Sequence, residues 1–337
     1  MDPTPSGVAV LLLRRSRPGS LNSMRHMLFA ASLGGVLLLA GTALSAQNVP
    51  ASRPVPGRAL LDFPLGTLGE APALSVGGGG GLFDPASILL TPISRLRLSL
   101  AQLDAPGDRS VHGQVGTVTG RAGPSTAVGV SFARMAVGGL DRTGSGDPTV
   151  LGSVPYSTYV VSLLAAQRFG GPFRQHLVIG AAGRYRAANA DTVSASTGAV
   201  DVGAVVDRLF GKYDGRLALS SYLWRPGEEA TEALGVHAAA DARVAGKEDA
   251  HEARIGVGRD LTRGGPRETF VYAAGRWSFA EARLGRARQV NFGSRPTTMI
   301  RFGLGFHSER FVVGVGREDS SVGLGPMYQF SLTTLIN

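Results

Sequence analysis

No stretch constrains this chain more than its last, Thr297 to Asn337. Ile300, Phe302, Leu304 and Phe306 are apolar, while Arg301, Gly303, Gly305 and His307 beside them are polar or small. Phe311, Val313 and Val315 alternate with Gly314 and Gly316. Tyr328, Phe330, Leu332 and Ile336 alternate with Gln329, Ser331 and Thr333. A period of two sends successive side chains to opposite faces of a strand, so each strand has one apolar face and one polar or small face. Short polar turns join the three strands at 307–310 and 317–321. The expectation is that the apolar face meets acyl chains and the other face lines a lumen. That describes an all-β chain folded as a transmembrane antiparallel β-barrel in a bacterial outer membrane.

The same pattern recurs upstream. Strands are expected near 93–103, 111–121, 126–137, 155–168, 175–186, 197–208, 215–224, 232–243, 250–260, 268–278, 281–291, 297–307, 310–317 and 326–336, about 14 in all. Their lengths cluster near the ten residues or so that a tilted spanning strand needs. Turn signals separate them, among them Gly123-Pro124-Ser125, Gly170-Gly171-Pro172, Pro226-Gly227 and Gly264-Gly265-Pro266. No helical pattern long enough for a parallel crossover intervenes, so the strands read as an antiparallel meander. Aromatics near strand ends, such as Tyr156, Tyr159, Trp224, Trp277, Phe279 and Tyr328, are either interfacial girdles or simply residues that favour strands.

A soluble β-sandwich also alternates. Two features argue against it. Fourteen strands exceed an ordinary sandwich, and the residues that share faces with glycine and serine are arginines (Arg97, Arg184, Arg254, Arg301) rather than a Lys/Glu mixture. The formal charge of +9 is almost all arginine, with Lys212 and Lys247 the only lysines. No basic run or aromatic stacking platform accompanies it, so no nucleic-acid partner is expected. The absence of cysteine excludes disulfides, thiolate metal sites and thiol catalysis.

Enzyme and metal signals are weak. His251-Glu252-Ala253-Arg254 opens like a zinc-protease helix, but Ile255 stands where the second histidine belongs. No Gly-Lys-Ser/Thr follows the glycine run at Gly77–Gly81, which argues against a phosphate loop. Glu228-Glu229 read as a solvated loop pair, and no Gly-x-Ser-x-Gly elbow occurs. No catalytic residue, metal or cofactor is expected.

The N-terminus reads as an address. Leu28–Leu44 is an uncharged apolar run preceded by Arg25 and followed by small residues, the pattern of a secretory signal peptide removed near Ser45 or Ala46. Its ~17 residues also sit at the lower limit of a membrane-spanning helix. Either Met1 or Met24 serves as the start. Three segments follow: an extension and signal peptide at 1–46, a periplasmic lead and Gly-rich segment at 47–92, and the barrel at 93–337.

Gly77–Leu90, GGGGGLFDPASILL, precedes the first expected strand. It resembles the N-terminal signature of the FadL-like outer-membrane barrels, including the PorV/PorQ group associated with type IX secretion, in which an Asn-Pro-Ala motif follows a Gly/Ala-rich segment. Here the motif is Asp84-Pro85-Ala86, with aspartate in place of asparagine. The resemblance implies an N-terminal segment folded into the barrel as a hatch (Gly77, Gly81, Asp84, Pro85, Ala86). It also implies either uptake of small apolar or amphipathic molecules or, as in PorV, a non-transporting barrel that docks secreted proteins. A structural barrel without either role is a third reading. The expected partners are outer-membrane lipid, the barrel-assembly machinery, and an apolar solute or secretion components.

Two questions stay open from sequence. Asp84-Pro85-Ala86 either just fixes a bend or controls an opening. Arg97, Arg184, Arg254, Arg301 and His307 either solvate the lumen by pairing with Asp241, Asp260 and Glu252, or line a path that favours anionic solutes.

Overall fold

The computed structural model describes residues 55–336 apart from 58–59, 62, 68, 91–94, 107–109, 145–146, 171–175, 211–212, 225–233, 248–250, 263–266, 291–295 and 320–324. The expected signal peptide, the Glu228-Glu229 pair and several turn signals lie outside these residues.

Sixteen strands are formed: β1 (Leu96–Ala105), β2 (Val111–Arg121), β3 (Thr126–Val137), β4 (Asp141–Gly144), β5 (Asp147–Ser153), β6 (Tyr156–Gly170), β7 (His176–Ala190), β8 (Val193–Leu209), β9 (Gly215–Trp224), β10 (Leu234–Lys247), β11 (His251–Thr262), β12 (Arg267–Trp277), β13 (Ala280–Val290), β14 (Thr297–His307), β15 (Phe311–Asp319) and β16 (Pro326–Ile336). Fourteen of them close into one antiparallel barrel in which β1 pairs with both β2 and β16. The hairpin β4–β5 forms a separate two-stranded sheet within the long connection from β3 to β6.

The alternation sorts as expected. Leu100, Leu219, Ile255 and Leu284 are each more than half exposed, as are Phe306 and Phe330. The intervening Arg97, Thr119, Ser131, Ser162, Arg254 and Arg301 are buried. An apolar exterior around a polar interior inverts a soluble protein, and closure leaves no unpaired sheet edge. Both features suit a hydrocarbon solvent. Among the described residues no helix is long and apolar enough to cross a membrane.

Several strands run longer than the sequence suggested: β6 and β7 have 15 residues each, and β8 has 17. Their added ends include small and polar residues such as Ala187, Ala188, Asn189, Ser194 and Ser196. There neither face is apolar, so alternation carries no signal. The ladder continues because β7 and β8 are joined by a tight turn at Asp191, which adopts φ 55°.

An even number of strands leaves both chain ends at one rim, where Leu96 opposes Ile336. Connections at that rim are short, for example 122–125, 278–279 and 308–310, while the long connection 138–155 lies at the other. Outer-membrane barrels carry their short turns on the periplasmic side. The rim with the chain ends is called the terminal rim below, and the opposite one the far rim.

The apolar core lies inside the barrel. Residues of the N-terminal segment (Ala71, Ala73, Leu74, Ala86, Ile88, Leu89) form one cluster with Leu164, Val178, Val205, Phe270 and Met299 of the wall. Leu60 and Leu65 join Leu103, Val115 and Met135 in a second. The segment enters near the far rim, where Gly57 N–H donates to Tyr156 Oη at 2.9 Å. It descends to the terminal rim, where Leu89 meets Arg168, and there feeds β1.

Candidate functional site

The closed wall creates a lumen, and the described residues between 55 and 90 pack inside it against the wall. The lower part of this plug is shaped by the Asp84-Pro85-Ala86 motif. Proline fixes φ at the start of a 3-10 turn, Pro85–Leu89, and Asp84 caps it by accepting the Ala86 N–H at 2.8 Å. The turn lies against β6, β7 and β8. That approach needs glycine on the wall. A methyl built on Gly180 would overlap the Ala86 backbone, and one on Gly203 would overlap the Asp84 carboxylate. Ser220 Oγ donates to Phe83 O at 2.7 Å, and Gly81 N–H donates to Ser87 Oγ at 3.0 Å. Gly203→Val is therefore expected to weaken plug seating by roughly 1–3 kcal/mol through overpacking. The readout is protease accessibility of residues 47–92 against urea concentration. Gly275→Ala, with open space around it on the outer face, is expected to change nothing.

Wall arginines grip the plug by its backbone. Arg97 Nη2 donates to Ile88 O at 3.0 Å, and Arg184 Nη2 to Gly81 O at 3.2 Å. Arg186 donates to both Pro56 O and Val55 O at 3.2 Å, and Arg168 donates to Leu89 O. Arg283 reaches Thr67 O at 3.4 Å and forms an ion pair with Glu70 at 3.3 Å. The plug lacks regular secondary structure over much of its length, so these donors satisfy carbonyls that would otherwise be buried unpaired. Glu70 also accepts the Val76 N–H at 3.1 Å, and burial raises its carboxyl above the usual range despite Arg283.

The five lumen candidates divide. Arg97 and Arg184 touch the plug, and Arg184 also pairs with Asp201. Arg254 and Arg301 stay on the wall. Arg254 bonds Asp241 at 2.8 Å and Asp214 at 3.2 Å, and Arg301 bonds Glu268 at 2.9 Å and also pairs with Glu318. His307 Nε2 lies 2.8 Å from Glu281. The expected partner Asp260 is taken by His237 instead, at 2.8 Å, and Glu252 is a more distant partner of Arg254 at 3.7 Å. Each of the five is engaged, so in this closed state they form no free cationic path. Glu70, Arg168, Arg186 and Arg283 were not singled out from sequence. Arg186 stands two residues beyond Arg184, on the same face, and was legible from the period of two.

Asp84 is wholly buried, with Oδ2 unpaired among the described residues. Its neighbours across the interface are Arg184, Asp201 and His237. Burial pushes its carboxyl up to about 7, opposed in part by the Ala86 N–H. Beside it lies a cavity of about 30 Å³ lined by Leu61, Leu82, Phe83, Val160, Arg184, Tyr222 and His237. That is room for little more than one water.

No protein-family model matches the sequence, and no curated relative is similar to it. The fold is similar to solved outer-membrane barrels. They include a TodX monoaromatic hydrocarbon channel (deltaS2 mutant), at 7% identity over 79% of this chain and 95% of that one, with a TM-score of 0.49. Outer membrane protein Omp33 of Acinetobacter baumannii shares 8% identity over 72% of this chain and 98% of that one, TM-score 0.43. OprB of Pseudomonas putida shares 10% identity over 71% and 90%, TM-score 0.38. The likeness is one of barrel architecture.

Proposed function

We propose that this chain is an outer-membrane channel or transporter for small apolar or amphipathic molecules, held closed by residues 47–92. The carrying observation is how the plug is attached. Its described contacts with the wall are hydrogen bonds between wall side chains and its backbone, one ion pair and small apolar patches, with no strand pairing to the barrel. Water can replace such contacts one at a time if the plug shifts, whereas a ladder of backbone bonds would have to break together. The cavity at the interface offers an apolar lining with Arg184 and His237 at its edge, which suits a molecule with an apolar body and a polar end. Insertion by the barrel-assembly machinery is part of the same reading.

The test exploits a chain without cysteine. Ala71 Cβ lies 3.0 Å from where a Cβ on Gly258 would stand, close to the spacing of about 3.8 Å in a disulfide. Ala71→Cys with Gly258→Cys is expected to abolish uptake of a fluorescent fatty acid into liposomes when oxidised and to restore it on reduction. Equal uptake in both states would refute a moving plug. The small cavity also favours a second reading, a docking barrel that transports nothing. Folded barrels with no uptake in either state would support it.

A further inference from the structure

The outer face is not uniformly apolar. On β11, β12 and β13 the outward positions toward the far rim are Arg259, Arg267, Arg286 and Arg288, and all four are exposed. Strand register fixes their arrangement. Thr269 stands directly between Arg259 and Arg288. Arg286 lies two residues below Arg288 on the same face, opposite Val271 and Ile300. Arg267 sits above Thr269, between Leu261 and Val290. Arg259 and Arg288 are thus two strand spacings apart, about 10 Å between backbones, within reach of two long side chains converging on one group. Toward the terminal rim the same three strands present Ile255, Ala253, Ala273, Gly275 and Leu284, with His251 packed against Trp277 at the very end.

Among the described residues these arginines have no ion-pair partner. Elsewhere on the outer face Asp104 lies 2.8 Å from His112 and Arg317 pairs with Asp319 at 2.8 Å, while Arg134 on β3 stands exposed, one arginine rather than a group of four. Among the described residues, the outward positions of β10 to β14 carry no acid. The connections 263–266 and 291–295 beside the patch contain no Asp or Glu in sequence. Glu268, on the intervening strand, faces inward to Arg301. An arginine on the lipid face is unfavourable toward the bilayer centre, and the penalty fades only near the interface. Four together also repel one another. A lipid-facing strand tolerates them where the bilayer supplies anions at that depth.

We infer that β11–β13 form a binding site for the phosphate groups of anionic lipids in the leaflet at the far rim. Arg259 and Arg288 flank a phosphate, with Thr269 and Thr298 as neutral hydroxyl donors beside them, and Arg286 reaches up along the strand. The rows of Val257, Val271, Ile300 and Phe302 below would lie along the acyl chains of the same lipid. The inference rests on the outer-membrane placement proposed above, but not on transport.

The test is native mass spectrometry of the full chain in detergent micelles doped with diphosphoryl lipid A or with an acyl-matched lipid that lacks phosphate. The wild-type barrel is expected to retain the phosphorylated lipid roughly tenfold more. The preference should vanish in Arg259→Gln/Arg286→Gln/Arg288→Gln, persist in the corresponding triple lysine variant, and be unaffected by Arg121→Gln at the terminal rim. Equal retention of the two lipids by the wild type would overturn the inference and needs no variant to fold. A preference that survives the glutamine triple would also overturn it. Binding in micelles does not depend on cellular location, so failure of the placement, read by membrane fractionation, is distinguishable from failure of the site.

Discussion

Deletion of residues 47–92 is expected to turn a barrel that shows no resolvable conductance into one with discrete open-channel steps and a preference for anions. The described residues of the plug pack against the wall from Gly57 near the far rim to Leu89 at the terminal rim, and a 14-stranded wall freed of them encloses an aqueous passage. The sign of the selectivity follows from what the plug takes with it. Arg97, Arg168 and Arg186 lose the plug carbonyls that they bond, while Arg283 loses the Glu70 carboxylate but keeps Glu281 at 2.6 Å. Arg254 and Arg301 keep their wall carboxylates and contribute little. The deleted interval also removes Asp84. The wall therefore gains net positive potential, and pore selectivity follows the charge that lines it. Planar-bilayer recordings would decide. Either no conductance from a deletion variant that still shows the heat-modifiable gel shift of a folded barrel, or a cation preference, would sink the account of the plug as the closing element.

That split among arginines marks where sequence stops being informative. Periodicity identified the barrel because each spanning strand has to solve the same solvent problem locally. Val128, Val130 and Phe132 alternate with Ser131 and Ala133 whatever lies across the lumen. The residues buried against the plug follow no such rule. Arg184 and Arg254 look alike from sequence, each inward and near small residues, yet one bonds the plug and the other a neighbouring strand. What separates them is the path of an irregular segment with almost no periodicity. For that segment only the punctuation was legible: proline and aspartate at 84–85, which did fix a capped turn. The outward arginines were overlooked for the opposite reason. Arg259 follows Val257 in perfect alternation, and reading the face as apolar hid the arginine on it.

The second large effect concerns pH. Asp84 belongs to the plug, not to a spanning strand, and its carboxyl is held at about 7 against an ordinary 3.8. Released into water, it would return to the ordinary value. Below about pH 4 the group is neutral whether the plug is seated or free and costs nothing. Between the two values the free plug ionises and the seated one does not, so seating weakens steadily as pH rises. Above about 7 both are ionised and the full difference applies, roughly 4 kcal/mol as an upper bound. Flux through the wild-type barrel is thus expected to increase from pH 4 to pH 8. Asp84→Asn removes this carboxyl's titration and leaves, among the described carboxyls of the plug, only that of Glu70, which Arg283 opposes. Its side-chain oxygen still accepts the Ala86 N–H, and the amide carries no charge at any pH. The variant should match the wild type near pH 4 and stay closed at pH 8, where the wild type leaks. Asparagine is itself a favoured residue ahead of a helical turn, so the turn is not disturbed. A titration of liposome uptake in both proteins settles the matter: if the wild-type curve is flat, or if the variant follows it at pH 8, Asp84 is a cap and nothing more.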